Sequence, residues 1–321
     1  MDVKANLNPE MRRRYDLRNA LHTAILIGGS ALLAAAIAWT VYGPEGLIWA
    51  AIFGGFGLWM LGRLSPKMVL SLYKARALTP DEMPELHKVV RELAARADLA
   101  SVPQLHYVQS QMLNAFAVGK PEDSAIAITD GLLRAMTMRQ IAGILAHEMS
   151  HIRNGDLKVM GLADVLNRIT SFMSTMGLIG IPTMLGTGWN IPIIGLLLLI
   201  FAPTIGGLLQ MALSRAREYD ADLDGAALTG DPEGLASALA TLEHRQRGQW
   251  EGLILPGSRL PEPSLLRTHP KTEDRIARLM ALRHDRAQPA IVMPDRSLPD
   301  HSIVPPIRGP RIHWHRMGIW Y

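Results

Sequence analysis

Cysteine is absent from all 321 residues. That excludes a disulfide scaffold and any thiolate metal site. Charge is missing from two long stretches. From Asn19 to Gly62 the only formal charge is Glu45, and from Ile169 to Ser214 there is none. A membrane span needs about 20 apolar residues, so each stretch has the length for two helices. With 48% hydrophobic and only 19% charged residues, the composition points away from a soluble enzyme. The N-terminal polar segment is long and the first apolar run spans fully, so it reads as an anchor, not a cleaved signal peptide.

What charge there is has a pattern. The net charge is +4. Lys4, Arg12, Arg13, Arg14 and Arg18 precede the first span, and Arg63, Lys67, Lys74 and Arg76 follow the second. Lys158, Arg168, Arg215 and Arg217 flank the later pair, while the turns between spans carry only Glu45. This is the positive-inside pattern, not a nucleic-acid footprint, and it puts both termini and every large polar segment in the cytoplasm. The first hairpin is expected over about Ala20–Val41 and Gly46–Gly62, turning at Gly43-Pro44-Glu45. Trp39, Tyr42 and Trp49 around that turn suit the headgroup level. The second covers about Ile169–Thr187 and Ile191–Ala212, with Trp189 and Asn190 in its turn.

The polar remainder reads as α+β and mainly helical. Thr79-Pro80-Asp81-Glu82 has the form of a capping box. Leu86, Val89, Val90, Leu93 and Ala97 follow it at helical spacing, as a core face. Gln104–Gln109, Asn114–Val118 and Ser124–Thr129 read as strands. Thr137 with Gln140 makes a second capping box, opening the helix that carries His147 to His151. Asp231-Pro232 starts another helix, with Leu235, Leu239 and Leu242 on one face. Arg245–Arg267 reads as a loop, and Ile276, Leu279 and Leu282 mark a last amphipathic helix. From Gln288 to Tyr321 the chain is rich in proline and reads as extended or disordered. The organisation is therefore residues 1–76 (N-terminal segment and first hairpin), 77–168 (first catalytic part), 169–212 (second hairpin), 213–284 (second catalytic part) and 285–321 (tail).

Two clusters carry chemistry. His147-Glu148-Met149-Ser150-His151 puts two imidazoles four residues apart, on one helix face. Glu148 is offset by one residue, so it borders that site and can act on water as a general base. A catalytic zinc takes three protein ligands and leaves a fourth position open, so one more ligand must come from elsewhere. The continuation through Asn154 and Leu157 excludes the metzincin pattern. Glu218-Tyr219-Asp220-Ala221-Asp222 offers Glu-x-x-x-Asp, as in glutamate-zincins. Glu218 would be the third ligand, and Asp222 would fix a histidine tautomer from outside. Glu218, Asp220, Asp222 and Asp224 could instead be a solvated face following a membrane helix. Topology favours the ligand reading, because two spans separate His151 from Glu218 and return the chain to the same side. If the fourth helix is continuous, Glu218 lies about 9 Å beyond Ala212 and the site sits against the bilayer.

The implied chemistry is peptide hydrolysis, with one Zn²⁺ per subunit. An extended substrate could pair with Asn114–Val118 as an edge strand. His22, His87, His106, His244, His284 and His301 are isolated and read as structural or exposed, and His313 and His315 as adventitious binders. His269, in Thr268-His269-Pro270, stays open as an oxyanion or substrate contact.

Taken together, these residues resemble the HtpX family of membrane zinc metalloproteases, related more distantly to type I CAAX prenyl proteases. The resemblance rests on Asn114-Ala115-Phe116-Ala117-Val118-Gly119, on His147 to Asp156, on Ser214-Arg215 with Glu218 and Asp222, and on Thr268-His269-Pro270 with Arg275. It implies a zincin-like endopeptidase in the bacterial inner membrane, with its site facing the cytoplasm. It also implies quality control of misfolded or damaged membrane proteins, with membrane proteins or unfolded polypeptides as substrates, the lipid bilayer as surroundings and no nucleic acid. The rivals are an idle scaffold of the same fold, a prenyl-protein protease and a transporter. The last predicts strongly polar residues inside the spans, which are almost absent.

Overall fold

The first apolar stretch forms one long helical run, α1 (Pro9–Arg63), interrupted at Gly43, where φ is 65° and ψ is −157°. Glycine takes that positive φ without strain, and Pro44 suits the first turn of the helix that resumes. The computed structural model describes residues 9–63, 65–186, 193–251, 271–282, 289–291, 314–315 and 318–319. The turn containing Trp189 and Asn190, His269 and most of the tail lie outside them.

After α1 come α2 (Pro66–Leu72), β1 (Arg76–Ala77) and α3 (Pro84–Arg96). The expected helix start at Thr79 is displaced. Glu82 does accept from the Thr79 N–H at 2.9 Å, but the helix opens only at Pro84. A proline in the second turn would lack a needed donor and clash with the carbonyl four residues back, so the helix restarts with Pro84 in its first turn. Its inner face buries Leu86, Val89, Val90 and Leu93.

The sheet contains β2 (Gln104–Val108), β3 (Ala115–Lys120) and β4 (Asp123–Thr129), in the order β1-β2-β4-β3. β2 runs parallel to β4, and β3 pairs antiparallel with it. β3 is thus an edge strand. Thr129 then caps α4 (Asp130–Ala135), a turn of helix the sequence reading did not anticipate.

α5 (Met138–Asn154) is the central helix. Its capping box is complete, with Gln140 N donating to Thr137 Oγ1 and Thr137 N to Gln140 Oε1. Ile141, Leu145, Met149 and Ile152 recur on one face and are fully buried against α3 and the sheet. Such a stripe fixes the rotation of the helix, and with it the direction of the side chains on the other face.

α6 (Asp156–Gly186) and α7 (Ile193–Thr229) pack with α1. Ile37, Ala38 and Val41 of α1 meet Met173 of α6 and Leu199 and Ala202 of α7. Tyr42 donates to the Met173 carbonyl at 2.8 Å, so it points into this bundle rather than to the headgroup level. Among the described residues, two helices are long and apolar enough to cross a membrane, Ala20–Met60 (41 residues) and Ile193–Thr229 (37 residues). Their most apolar windows are only 28% and 22% buried, which leaves large apolar faces such as Leu32, Ile193 and Phe201 outward. Outward apolar surface on that scale suits lipid, not water.

α8 (Pro232–Glu251) extends through Arg245 into the stretch expected to be a loop, and α9 (Thr272–Ala281) follows. Part of the tail is held. Ile291 N donates to the Thr229 carbonyl at 2.8 Å and Arg96 to the Pro289 carbonyl at 3.1 Å, so residues 289–291 lie on the body. Farther on, β5 (Trp314–His315) and β6 (Gly318–Ile319) pair antiparallel.

Candidate metal centre and active site

α5 and α7 build the site between them. They are in close contact at Gly225, where an added Cβ would lie 3.0 Å from the His147 backbone nitrogen. Any larger residue would push α7 away from the histidine helix. One and two turns earlier on α7, Asp222 and Glu218 share the face turned to α5. His147, His151 and Glu218 are thereby brought together, with their candidate ligand atoms all within 4.8 Å of one another. His147 Nε2 lies 3.2 Å from His151 Nε2 and 3.5 Å from Glu218 Oε2, and His151 Nε2 lies 3.9 Å from Glu218 Oε1. A four-coordinate zinc with bonds of about 2.0–2.1 Å separates its ligand atoms by about 3.3 Å, so the donor set and spacing fit such an ion.

Each imidazole has a carboxylate behind it. Asp222 Oδ1 is 3.1 Å from His147 Nδ1, the pairing expected from sequence, although the ring nitrogen is not aligned for a hydrogen bond. Asp156 Oδ2 is 2.9 Å from His151 Nδ1, a partner the sequence reading missed. The signal was there in Asn154-Gly155-Asp156. Gly155 ends α5 in the left-handed conformation (φ 67°, ψ 23°), which turns the next residue back towards the last helical turn.

A second layer holds the carboxylates. Arg275 of α9 donates through Nε and Nη2 to Asp222, at 2.7 and 2.6 Å, and its Nη1 lies 3.2 Å from Glu218. Arg217 Nη1 lies 3.1 Å from Asp156, and its other terminal nitrogen reaches Thr23 of α1. From sequence Arg217 reads only as a basic residue flanking a span and Arg275 only as part of the family resemblance, with no contact to these carboxylates assigned to either. Arg275 sits on the inner face of α9 beside Leu279, and a lone arginine on an apolar stripe is the sign that it has a buried partner. Arg278 stacks on the Tyr219 ring at 3.8 Å and adds to the same docking.

Glu148 projects to the other side of the histidines. Its Oε2 accepts from the Ala117 N–H of β3 at 3.0 Å, tying the carboxylate to the sheet edge. Burial pushes the Glu148 carboxyl above the ordinary range, against the pull of His147 and His151. At His147 burial disfavours the charged ring, but Asp222 and Glu218 outweigh it and raise the ring to about 10. Asp222 also loses hydration on burial, yet Arg275 and His147 keep it below its usual range. A positive charge is thus strongly favoured at the point where the three donors converge. Asn114 bonds Thr129 through its backbone, just before β3 begins.

The sequence profile of peptidase family M48 matches residues 80–283, which span α3 to α9 and every residue of the site. The chain belongs to peptidase family M48. Among its relatives, a protease HtpX homologue from Methylibium petroleiphilum is 33% identical over 291 residues, covering 82% of this chain and 98% of that one. Another from Acaryochloris marina is 36% identical over 283 residues, covering 82% and 94%. The crystal structure of S. mikatae Ste24p aligns with a TM-score of 0.50 at 20% identity, over 83% of this chain and 65% of that longer one, and shows a shared fold. The resemblance read from the sequence motifs is borne out. With M48 membership and two long apolar helices, the chain is a membrane-anchored metalloprotease.

The arginine layer gives a first prediction. Arg275→Met leaves Asp222 and Glu218 without their buried cation, and removing one partner of such a pair costs about 3 kcal/mol. Loss of a residue that orients ligands weakens metal binding by about 10–100-fold. Thermal unfolding and chelator competition should register both effects. An unchanged melting temperature and metal affinity would remove Arg275 from the account.

Proposed function

We propose that the chain is a zinc-dependent endopeptidase in which His147, His151 and Glu218 hold one Zn²⁺ per subunit and Glu148 is the general base. The observation that carries this is the convergence of three donor atoms within 4.8 Å, with Glu148 beside them on the sheet edge. When bound, the ion supplies Lewis acidity to the scissile carbonyl and to water. Asp222 and Asp156 hold the two imidazoles in orientation from behind. Glu148 takes a proton from the attacking water at its carboxylate and delivers it to the leaving amine. Its raised proton affinity suits both halves of that task.

The substrate lies along β3. Thr129 N donates to the Asn114 carbonyl, which sets the pairing phase with β4. Even-numbered residues of β3 bond to β4, so Ala115, Ala117 and Gly119 turn their backbone groups outward, the Ala117 N–H being held by Glu148 and its carbonyl left for a partner strand. An extended polypeptide adds there as a further strand, next to Glu148. Extended chains are what unfolded or damaged membrane proteins offer, and we place the activity in their quality control.

The membrane part is proposed as two hairpins. A straight helix over the 41 apolar residues of α1 would be about 62 Å long, twice the roughly 30 Å hydrocarbon layer. Contacts support a reversal at Gly43. Thr23 meets Arg217 and Gly29 meets Leu209, so the first segment runs antiparallel to α7. Gly54 faces Ile169 and Gly57 faces Val165, so the second runs antiparallel to α6. Asn167 bonds Gln210 and Gly177 faces Leu199, which makes α6 and α7 antiparallel to each other. Basic residues at the span ends support a site on the cytoplasmic face of a bacterial inner membrane.

The test is metal analysis and casein cleavage by the detergent-purified protein. We expect one zinc per chain and cleavage that stops on chelation and returns with added zinc. Cleavage that survives complete removal of metal would overturn the reading.

A further inference from the structure

A cavity of about 440 Å³ opens beside the site, where the end of α1, the start of α6 and the edge of β3 meet. Its floor is apolar, with Pro66, Val69, Val118 and Leu157. One wall is β3 itself from Ala117 to Lys120, so the cavity begins at the residue whose N–H is held by Glu148. Its rim carries Arg63 at the end of α1, Lys158 near the start of α6 and Lys120 at the end of β3. All three are exposed, and none makes a salt bridge of 4.0 Å or less among the described residues. Arg63 rests over the Trp59 ring at 4.7 Å, a contact that leaves its charge uncompensated. Glu122 and Asp123 also line the cavity, but at the β3–β4 turn, where Asp123 is paired across from Lys120. The side formed by Arg63 and Lys158 is wholly cationic.

We infer that this cavity is a side-chain subsite of the peptidase, taking an apolar residue flanked by an acidic one and rejecting lysine and arginine. The inference rests on the peptidase reading above and adds a preference to it. A strand laid against Ala117 and Gly119 runs over the cavity mouth, so one of its side chains drops towards the floor. Its neighbours then face Arg63, Lys158 and Lys120. Complementary charge is favoured there, and like charge would set one cation against another. The selection has a consequence for a membrane enzyme. The cytoplasmic flanks of ordinary spans are rich in lysine and arginine, so the subsite turns away intact juxtamembrane segments.

Continuity with the edge strand favours a polypeptide over a lipid headgroup as the occupant, and the experiment separates the two. The full-length, zinc-loaded protein in detergent is given a random-sequence decapeptide mixture, and products are read by mass spectrometry. Aspartate and glutamate should be enriched over lysine and arginine by about fivefold at one position near the cleaved bond, the scale of an exposed ion pair. Arg63→Glu with Lys158→Glu should reverse the preference while zinc content stays at the wild-type level. Lys120→Glu alone should weaken it in the same direction. Chelator-sensitive cleavage without an acidic preference, or with one that survives the charge reversal, overturns the inference and leaves the peptidase reading standing. A charge reversal that abolishes binding to phosphatidylglycerol vesicles but not the peptide preference gives the cavity to a headgroup and also overturns it. With no chelator-sensitive cleavage of any peptide, the inference and the peptidase reading fall together.

Discussion

Replacing Glu148 by glutamine should lower kcat/KM for peptide cleavage by about a thousandfold while zinc remains bound. The amide keeps an oxygen that can accept from the Ala117 N–H, so the 3.0 Å link between α5 and β3 survives. The neighbouring imidazoles and Glu218 are untouched. What disappears is a group that can carry a proton between water and the leaving amine, a contribution of about 10²–10⁴-fold. Metal analysis beside steady-state kinetics separates this from loss of the ion. Full proteolysis by a zinc-loaded Glu148→Gln protein would remove the enzymatic reading and favour a scaffold that keeps the fold for binding.

The second large effect is on the metal. Glu218→Gln takes away the only carboxylate among the three proposed ligands, and two imidazoles on one helix hold an ion far more weakly than a three-ligand set. The loss should exceed the roughly 10–100-fold that removal of an outer partner costs. Zinc per chain, after dialysis against a mild chelator, should fall from one to near zero, and cleavage should fall with it. The fold should persist, because Arg275 retains its two hydrogen bonds to Asp222 and keeps α9 docked on α7. Retention of a full equivalent of zinc would mean that the third ligand is another residue.

Some of this architecture was legible because the physics behind it is local. Thr137 and Gln140 satisfy each other's backbone donors within three residues, so the start of α5 could be read directly. The placing of His147 and His151 on one face, and of Glu218 and Asp222 on another, needs only the helical period. That the two faces meet depends on the crossing of α5 and α7 at Gly225, which is a tertiary contact without a local signature. Loss of charge over tens of residues marks lipid-facing segments by composition alone.

What was missed is mostly long-range. β1 has two residues and exists because Arg76 and Ala77 pair with Tyr107 and His106, some thirty positions away. Arg275 and Arg217 reach carboxylates 53 and 61 residues distant, at separations no spacing rule covers. The start of α3 was misplaced because a real Thr79–Glu82 hydrogen bond was read as the helix start, while Pro84 carried the stronger constraint. α8 outran its expected end at Arg245 and runs through Gly248 to Glu251, and no proline follows until Pro256. The hold on residues 289–291 uses backbone groups of the tail, which any sequence could supply.

Anomalous diffraction at the zinc edge, from crystals of the full-length protein grown without added metal, tests the central claim most directly. One peak is expected at bonding distance, about 2.0–2.2 Å, from His147, His151 and Glu218 together. A peak bonded to the two histidines but not to Glu218, or a metal bound only elsewhere in a folded, active protein, would contradict it.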